Sequence, residues 1–247
     1  RRFDEYKPRS EPASGLAGGK IVNVDRVEWV TMPDNQTALS SLMAGEIDLI
    51  ETVKLDLLPI LQGDPSIKTE IRDALGYQAI LRMNFIHPPF DNVEIRRAAL
   101  TALGQKEFLD AIIGNPDYYW LCGAIFGCKS PLGDESGSDS LKAGGDKAKA
   151  REMLAAAGYD GTPIVILQAT DFEELGTAAV IAAAQLREAG FNVDPQPMDW
   201  QTLISRRASK NKPSEGGWNI HFSAASAIES NTPIVHPLLP STGETGW

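Results

Sequence analysis

From Asp146 to Ala225 the sequence alternates helical and strand periodicity three times over, and this alternation constrains the fold more than any other feature. Asp146 is placed to cap a helix, and Ala150, Met153, Leu154 and Ala157 then recur at helical spacing up to a stop at Gly158. "PIVILQAT" is an apolar run of strand length. "EELGTAAVIAAAQLREAG" returns to helical spacing, with Leu175, Ala179, Ala182 and Leu186 on one stripe. "FNVDPQPMDW" predicts a strand whose prolines confine it to an edge or a strand end. "QTLISRRASK" then predicts a helix and "WNIHFSAA" a final strand. Alternation of this kind specifies an α/β layer, because each element has one apolar side that only the other type covers.

The earlier half predicts a similar unit. Residues 21–86 give β-α-β-α-β-β: strands at "VDRVEWVTM", "IDLIET", "SIKTEIRDAL" and "YQAILRMNF", and helices at 35–44 and around "KLDLLPILQG". Asp34 would cap the first helix, whose inner face would carry Ala38, Leu39, Leu42 and Met43. "NFIHPPFDNVEIRRAAL" follows. Its prolines hold the preceding residues extended, Asp91 and Glu94 form a capping-box-like pair, and Ile95, Ala98, Ala99, Ala102 and Leu103 share a face. Arg96 and Arg97 fall outside that face and predict a solvated surface. The stiff joint predicts a crossover between two units, residues 1–86 and 87–247. After a second helix, "KEFLDAII", residues 115–145 are irregular, first aromatic and then rich in Gly, Ser and Asp; loops this long in a compact domain are usually functional or mobile.

Several function classes find no support. A formal charge of −10 repels nucleic acid at long range, and no run of 18 uncharged apolar residues would span a membrane. "GLAGGK" has one residue too few for a phosphate loop and carries Ile21 where Ser or Thr must bind magnesium. "GDESG" puts Ser136 in the wrong slot for a nucleophile elbow. His87, His221 and His236 show no metal-ligand spacing, so no metal or cofactor is expected. Cys122 and Cys128 are separated by five residues, two of them glycines, and the spacing alone fits a disulfide and a pair of buried thiols equally well. Aromatic residues are more informative. Tyr118, Tyr119, Trp120 and Phe126 surround the cysteines, Trp200 follows a strand end, and Trp218 and Phe222 flank the last strand. Open α/β sheets bind ligands at strand ends, and aromatic rings give large contact area with few rotamers to freeze.

Taken in order, "DRVEWVTMPDNQTALSSLMAGEIDLIE", "RMNFIHPPFDNVEIRRAAL", "DKAKAREMLAAAGYDG", "AAAQLREAGFNVD", "MDWQTLISRRASK" and "GGWNI" resemble the extracellular solute-binding proteins of family 5, the peptide/nickel-type receptors of ABC importers. The resemblance covers roughly residues 20–247. It implies a type II periplasmic-binding-protein-like α/β fold of two lobes with mixed sheets. Residues 1–86 would be the later part of lobe one and 87–247 lobe two, with the rest of lobe one having no counterpart in this chain. It implies a monomeric, non-enzymatic receptor outside the cytoplasmic membrane that delivers a peptide or small solute to a membrane permease, and it favours a Cys122–Cys128 disulfide. Ligand contacts are expected from Trp120, Phe126, Trp200, Phe222 and Ser223, with Asn84 near the hinge. One departure concerns the substrate. Dipeptide receptors of this family carry a Trp and an Asp near the strand after "GGW"; here Phe222 and Ala225 stand near those places. Without that carboxylate an ammonium loses its charge-assisted partner, so an opine, a metal chelate or a blocked peptide stands beside a free peptide as substrate, and a ligand-sensing module beside a transport receptor.

Overall fold

The computed structural model describes residues 5–14, 17–234, 236 and 239; Gly15 and Leu16 of the glycine-rich segment and residues 240–247 lie outside the described residues. The chain divides into two compact units between Glu70 and Ile71.

In the first unit, helix α1 (Asn35–Met43) forms as its sequence predicts. The Asp34 carboxylate accepts the Thr37 N–H at 2.8 Å and the Thr37 hydroxyl at 2.9 Å, and Leu39 is buried. A short helix α2 (Leu58–Gln62) buries Leu61. The strands expected at 24–32, 47–52 and 66–75 are absent: these segments are extended or bent, and Ile21, Trp29 and Leu49 are each more than 70% exposed. A β-branched alternating run becomes a strand only when another strand satisfies its backbone and a layer covers its apolar face. Among the described residues of this unit neither exists.

The second unit is a four-stranded mixed sheet between helices. Strand β1 (Tyr77–Met83) leads through the proline joint into α3 (Val93–Ala102) and α4 (Gln105–Ile112). After the irregular stretch and a one-turn helix α5 (Asp139–Lys142) come α6 (Lys147–Ala156), β2 (Ile164–Ala169), α7 (Glu173–Glu188), β3 (Val193–Met198), α8 (Trp200–Arg207) and β4 (Ile220–Ser226). Strand order is β1-β4-β2-β3. β2 runs parallel to both β3 and β4, and β1 lies antiparallel to β4 with Tyr77 opposite Ser226 and Met83 opposite Ile220. β3 is an edge strand, which is where Pro195 and Pro197 cost no ladder bond.

Burial follows the periodicity. Ile164 and Ile166 of β2 pack with α3, α6 and α7 through Ala98, Ala99, Leu154, Ala182 and Leu186. Val165, Leu167 and Ala169 face the other way, onto Leu203 of α8 and Trp218. β2 is therefore buried on both faces, which is why it opens with four consecutive apolar residues, 164–167.

Three expectations need correction. β1 was expected to close the first unit, but it is the outer strand of the second unit's sheet, because β4 offers it a full antiparallel ladder. The proline joint thus lies inside the second unit. The N-cap of α3 is Asn92, whose side chain accepts the Glu94 N–H at 2.9 Å; Asp91 instead closes a turn on His87. Arg96 is not solvated either: its guanidinium lies 4.3 Å from the Phe85 ring centroid and donates to the Phe90 carbonyl. Arg97 keeps to the surface, paired with Glu94 at 2.7 Å.

Candidate functional site

The parallel strands β2, β3 and β4 all end at one edge of the sheet, and β1, running the opposite way, begins there. This carboxyl edge collects three of the aromatic residues singled out from the sequence, Trp120, Phe126 and Trp200. Trp200 starts α8 directly after β3. Its N–H donates to Asp171 Oδ1 at 2.7 Å, and its ring meets Phe172 edge-on at 5.1 Å, so the turns after β2 and β3 are tied together. Asp199, the cap of α8, accepts from the Thr202 hydroxyl and N–H, and these bonds hold its carboxyl below the ordinary range.

Trp120 and Phe126 reach the same edge from the irregular loop. The Trp120 ring lies over Gly76, the residue before β1, so closely that a β-carbon there would stand 2.7 Å from the ring. Lys129 Nζ sits 3.5 Å from the centre of the same indole. The loop is fastened to the sheet by Gln78, whose Nε2 donates to the Ala124 carbonyl at 3.2 Å, while Phe126 meets His236 edge-on at 6.2 Å. A second clamp comes from α4. The Gln105 side chain accepts the Cys122 N–H at 2.8 Å and donates to the Cys122 carbonyl. Cys122 and Cys128 are joined in a disulfide, with Cα atoms 5.7 Å apart. Glu135 accepts the Gly123 N–H at 3.0 Å and pairs with Lys142 at 3.1 Å; the backbone bond, then the lysine, keeps its carboxyl below the usual range.

Two buried polar atoms accompany these rings. Gln78 Oε1 and Ser230 Oγ find no hydrogen-bond partner among the described residues. Buried polar atoms are nearly always satisfied, so these two stand out among the described residues. A shallow depression of about 410 Å³ opens at the same edge between β2 and α7, lined by Gln168, Thr170, Glu173 and Thr177 among others.

The remaining sequence candidates lie elsewhere. Phe222 is buried in the core and its ring is 6.3 Å from Phe108; Ser223 faces the opposite side of the sheet, across from Ile80. Asn84 follows the far end of β1, roughly 20 Å from the carboxyl edge at about 3.4 Å per strand residue. It is fully buried, donating to the Trp218 carbonyl at 3.0 Å and accepting the Ile86 N–H at 3.0 Å. Asn219 completes this clasp by donating to Pro88 O at 3.0 Å and accepting from Val165 N at 2.9 Å. Gln78, Gln105, Glu135 and Ser230 escaped sequence reasoning: isolated polar residues carry no periodic signal, and only the fold brings them to the loop.

Fold architecture alone does not set function, and sequence comparison gives the family. The family model described as "Bacterial extracellular solute-binding proteins, family 5 Middle" matches residues 1–245. The chain belongs to this family of solute-binding proteins. Among curated relatives, the probable peptide ABC transporter periplasmic-binding protein y4tO of Sinorhizobium fredii is 39% identical over 248 residues, covering 100% of this chain and 47% of the relative. The family 5 fold is shared with the substrate-binding protein CtaP of Listeria monocytogenes, at a TM-score of 0.65 and 19% identity over 85% of this chain and 41% of that one. It is shared also with the periplasmic binding protein DppA of Helicobacter pylori, solved with the peptide STSA, at a TM-score of 0.63 and 20% identity over 83% and 38%. The chain spans about half the length of the relatives it matches. Among the described residues no helix is long and apolar enough to cross a membrane.

Proposed function

We propose that this chain forms the ligand-gripping part of the solute-binding component of an ABC importer, taking a peptide or peptide-like solute outside the cytoplasmic membrane for delivery to the permease. Residues up to Glu70 would belong to lobe one and those from Ile71 to lobe two. The ligand would lie along the carboxyl edge of the second unit, against Trp120, Phe126 and Trp200. The observation that carries this reading is that Trp120, Phe126 and Trp200 stand along one edge of the sheet, where Gln78 Oε1 and Ser230 Oγ are buried without a partner among the described residues. Strand carboxyl ends are where open α/β sheets take ligands, and aromatic walls with a few fixed polar groups suffice for capture without chemistry. Phe222 and Asn84 would serve by packing and by fixing the far end of β1. Peptide substrates draw support from the peptide-transporter relative.

A thermal-shift screen of the full-length protein tests the reading, using free di- and oligopeptides, amino-blocked peptides, opines and metal chelates. Ligand at 100 times its Kd would add about 2.7 kcal/mol of stability. A shift with free or blocked peptides is expected. A shift confined to metal chelates, or none with any class, would contradict the substrate assignment.

A further inference from the structure

We propose that reduction of the Cys122–Cys128 disulfide turns the loop into a binding site for a thiophilic divalent ion, with Cys122 Sγ, Cys128 Sγ and a Glu135 carboxylate oxygen as ligands. One potential ligand atom from each of these three residues lies within 4.8 Å of the others. Glu135 Oε1 is 3.0 Å from Cys128 Sγ. A disulfide sulfur carries no proton, so in the oxidised protein this is a bare contact between the carboxylate and the sulfur.

The surroundings are already those of a metal site's outer shell. Glu135 is oriented by the Gly123 N–H and by Lys142, at 3.0 and 3.1 Å. The Cys128 N–H points at Cys122 Sγ from 3.0 Å, a donor that would support a thiolate there. The loop does not depend on the covalent bond alone, because Gln105 holds Cys122 from α4 and Gln78 holds the Ala124 carbonyl from β1. With bonds of about 2.3 Å, a tetrahedral Zn²⁺ would separate its two sulfurs to about 3.8 Å, within reach of side-chain rotation, and water would take the fourth position. Two thiolates and one carboxylate around a divalent ion leave a single negative charge, opposite that of the adjacent Lys142.

The chemistry balances through thiol–disulfide exchange. A dithiol reductant supplies two electrons and two protons and is itself oxidised to a disulfide; the protein gains two thiols, and the ion displaces both protons on binding. Metal uptake would therefore be gated by redox state, because the oxidised loop has no thiolate to offer.

Co²⁺ is the probe, added to the full chain before and after reduction by a phosphine, with excess phosphine removed. The reduced protein is expected to take one Co²⁺ with a thiolate-to-cobalt charge-transfer band and intense tetrahedral visible bands, all erased by Zn²⁺; the oxidised protein should show none. Glu135→Gln should weaken Co²⁺ binding at least about tenfold, and replacing both Cys122 and Cys128 by Ser should abolish the charge-transfer band. Circular dichroism follows folding throughout. The proposal is overturned by a reduced protein without the band, by equal binding in the oxidised state, by a Glu135→Gln variant that binds as tightly as the parent, or by a reduced chain that unfolds and is not restored by the ion.

Discussion

Acid should destabilise this protein through His221 well before its carboxylates titrate. His221 is fully buried on β4, with its ring edge-on to Trp218 at 4.8 Å and Arg82 opposite in register. Burial lowers its pKa from 6.5 to about 4; the charges of Arg207 and Arg82 push it the same way, while the Phe222 carbonyl, 3.3 Å from Nδ1, resists. The sign follows from where the proton is bound. Above pH 6.5 the ring is neutral in both folded and unfolded chains and pH has no leverage. Between 6.5 and about 4 only the unfolded chain takes up the proton, so folding stability falls as pH falls; below 4 both are protonated and the loss levels off. A shift of that size, at 1.36 kcal/mol per unit, corresponds to about 3 kcal/mol. Urea unfolding followed by tryptophan fluorescence from pH 7.5 to 4 measures it, Trp218 being buried against the ring. His236 is also held below its ordinary range, by burial and by Arg82, so the wild-type slope contains both histidines and the difference between wild type and His221→Gln isolates one. The variant should lose about 3 kcal/mol of that pH dependence. Identical slopes in the two proteins, or a His221 resonance titrating near 6.5 in the folded state, would refute the reasoning.

Three further outcomes follow from the loop. Gly76→Ala forces a residue with φ of +85° to carry a β-carbon 2.7 Å from the Trp120 ring; it should cost about 1–3 kcal/mol in urea unfolding and red-shift the tryptophan emission as the ring is displaced. Gln105→Ala removes both bonds to the Cys122 backbone and should cost about 1–3 kcal/mol, with faster hydrogen exchange at Cys122 and Gly123 and unchanged protection in β2. Replacing both cysteines by serine opens a short covalent loop and should lower stability by about 2 kcal/mol, checked by urea midpoints under non-reducing conditions.

Legibility of the sequence varied with how local the determining physics is. The helices capped by Asp34 and Asp146 stand where the cap-and-stripe pattern puts them, because cap and apolar face both act within a few residues. β2 was readable as a long apolar run and β3 as an edge strand from its prolines. The early strands were misread for the complementary reason. "VDRVEWVTM" has a strand's alternation, but a strand needs a partner that its own sequence does not contain, and Trp29 is 82% exposed. The boundary between the units was misplaced by the same cause: β1 belongs to whichever sheet offers a ladder, and β4 lies more than 130 residues away in sequence. At the candidate site the aromatic residues could be picked out by type, and Trp120, Phe126 and Trp200 do reach one sheet edge. Their polar companions could not, since Gln78 and Ser230 stand out only through buried atoms that lack a partner among the described residues.

Ligand affinity of the full-length protein, measured by calorimetry for Trp120→Ala, Phe126→Ala and Trp200→Ala beside Leu100→Ala, an exposed position on α3, tests the assignment of the carboxyl edge most directly. The account predicts that each of the three aromatic substitutions weakens binding at least about tenfold, or 1.4 kcal/mol, while Leu100→Ala leaves it unchanged. Three folded aromatic variants that bind with the parent's affinity would contradict it.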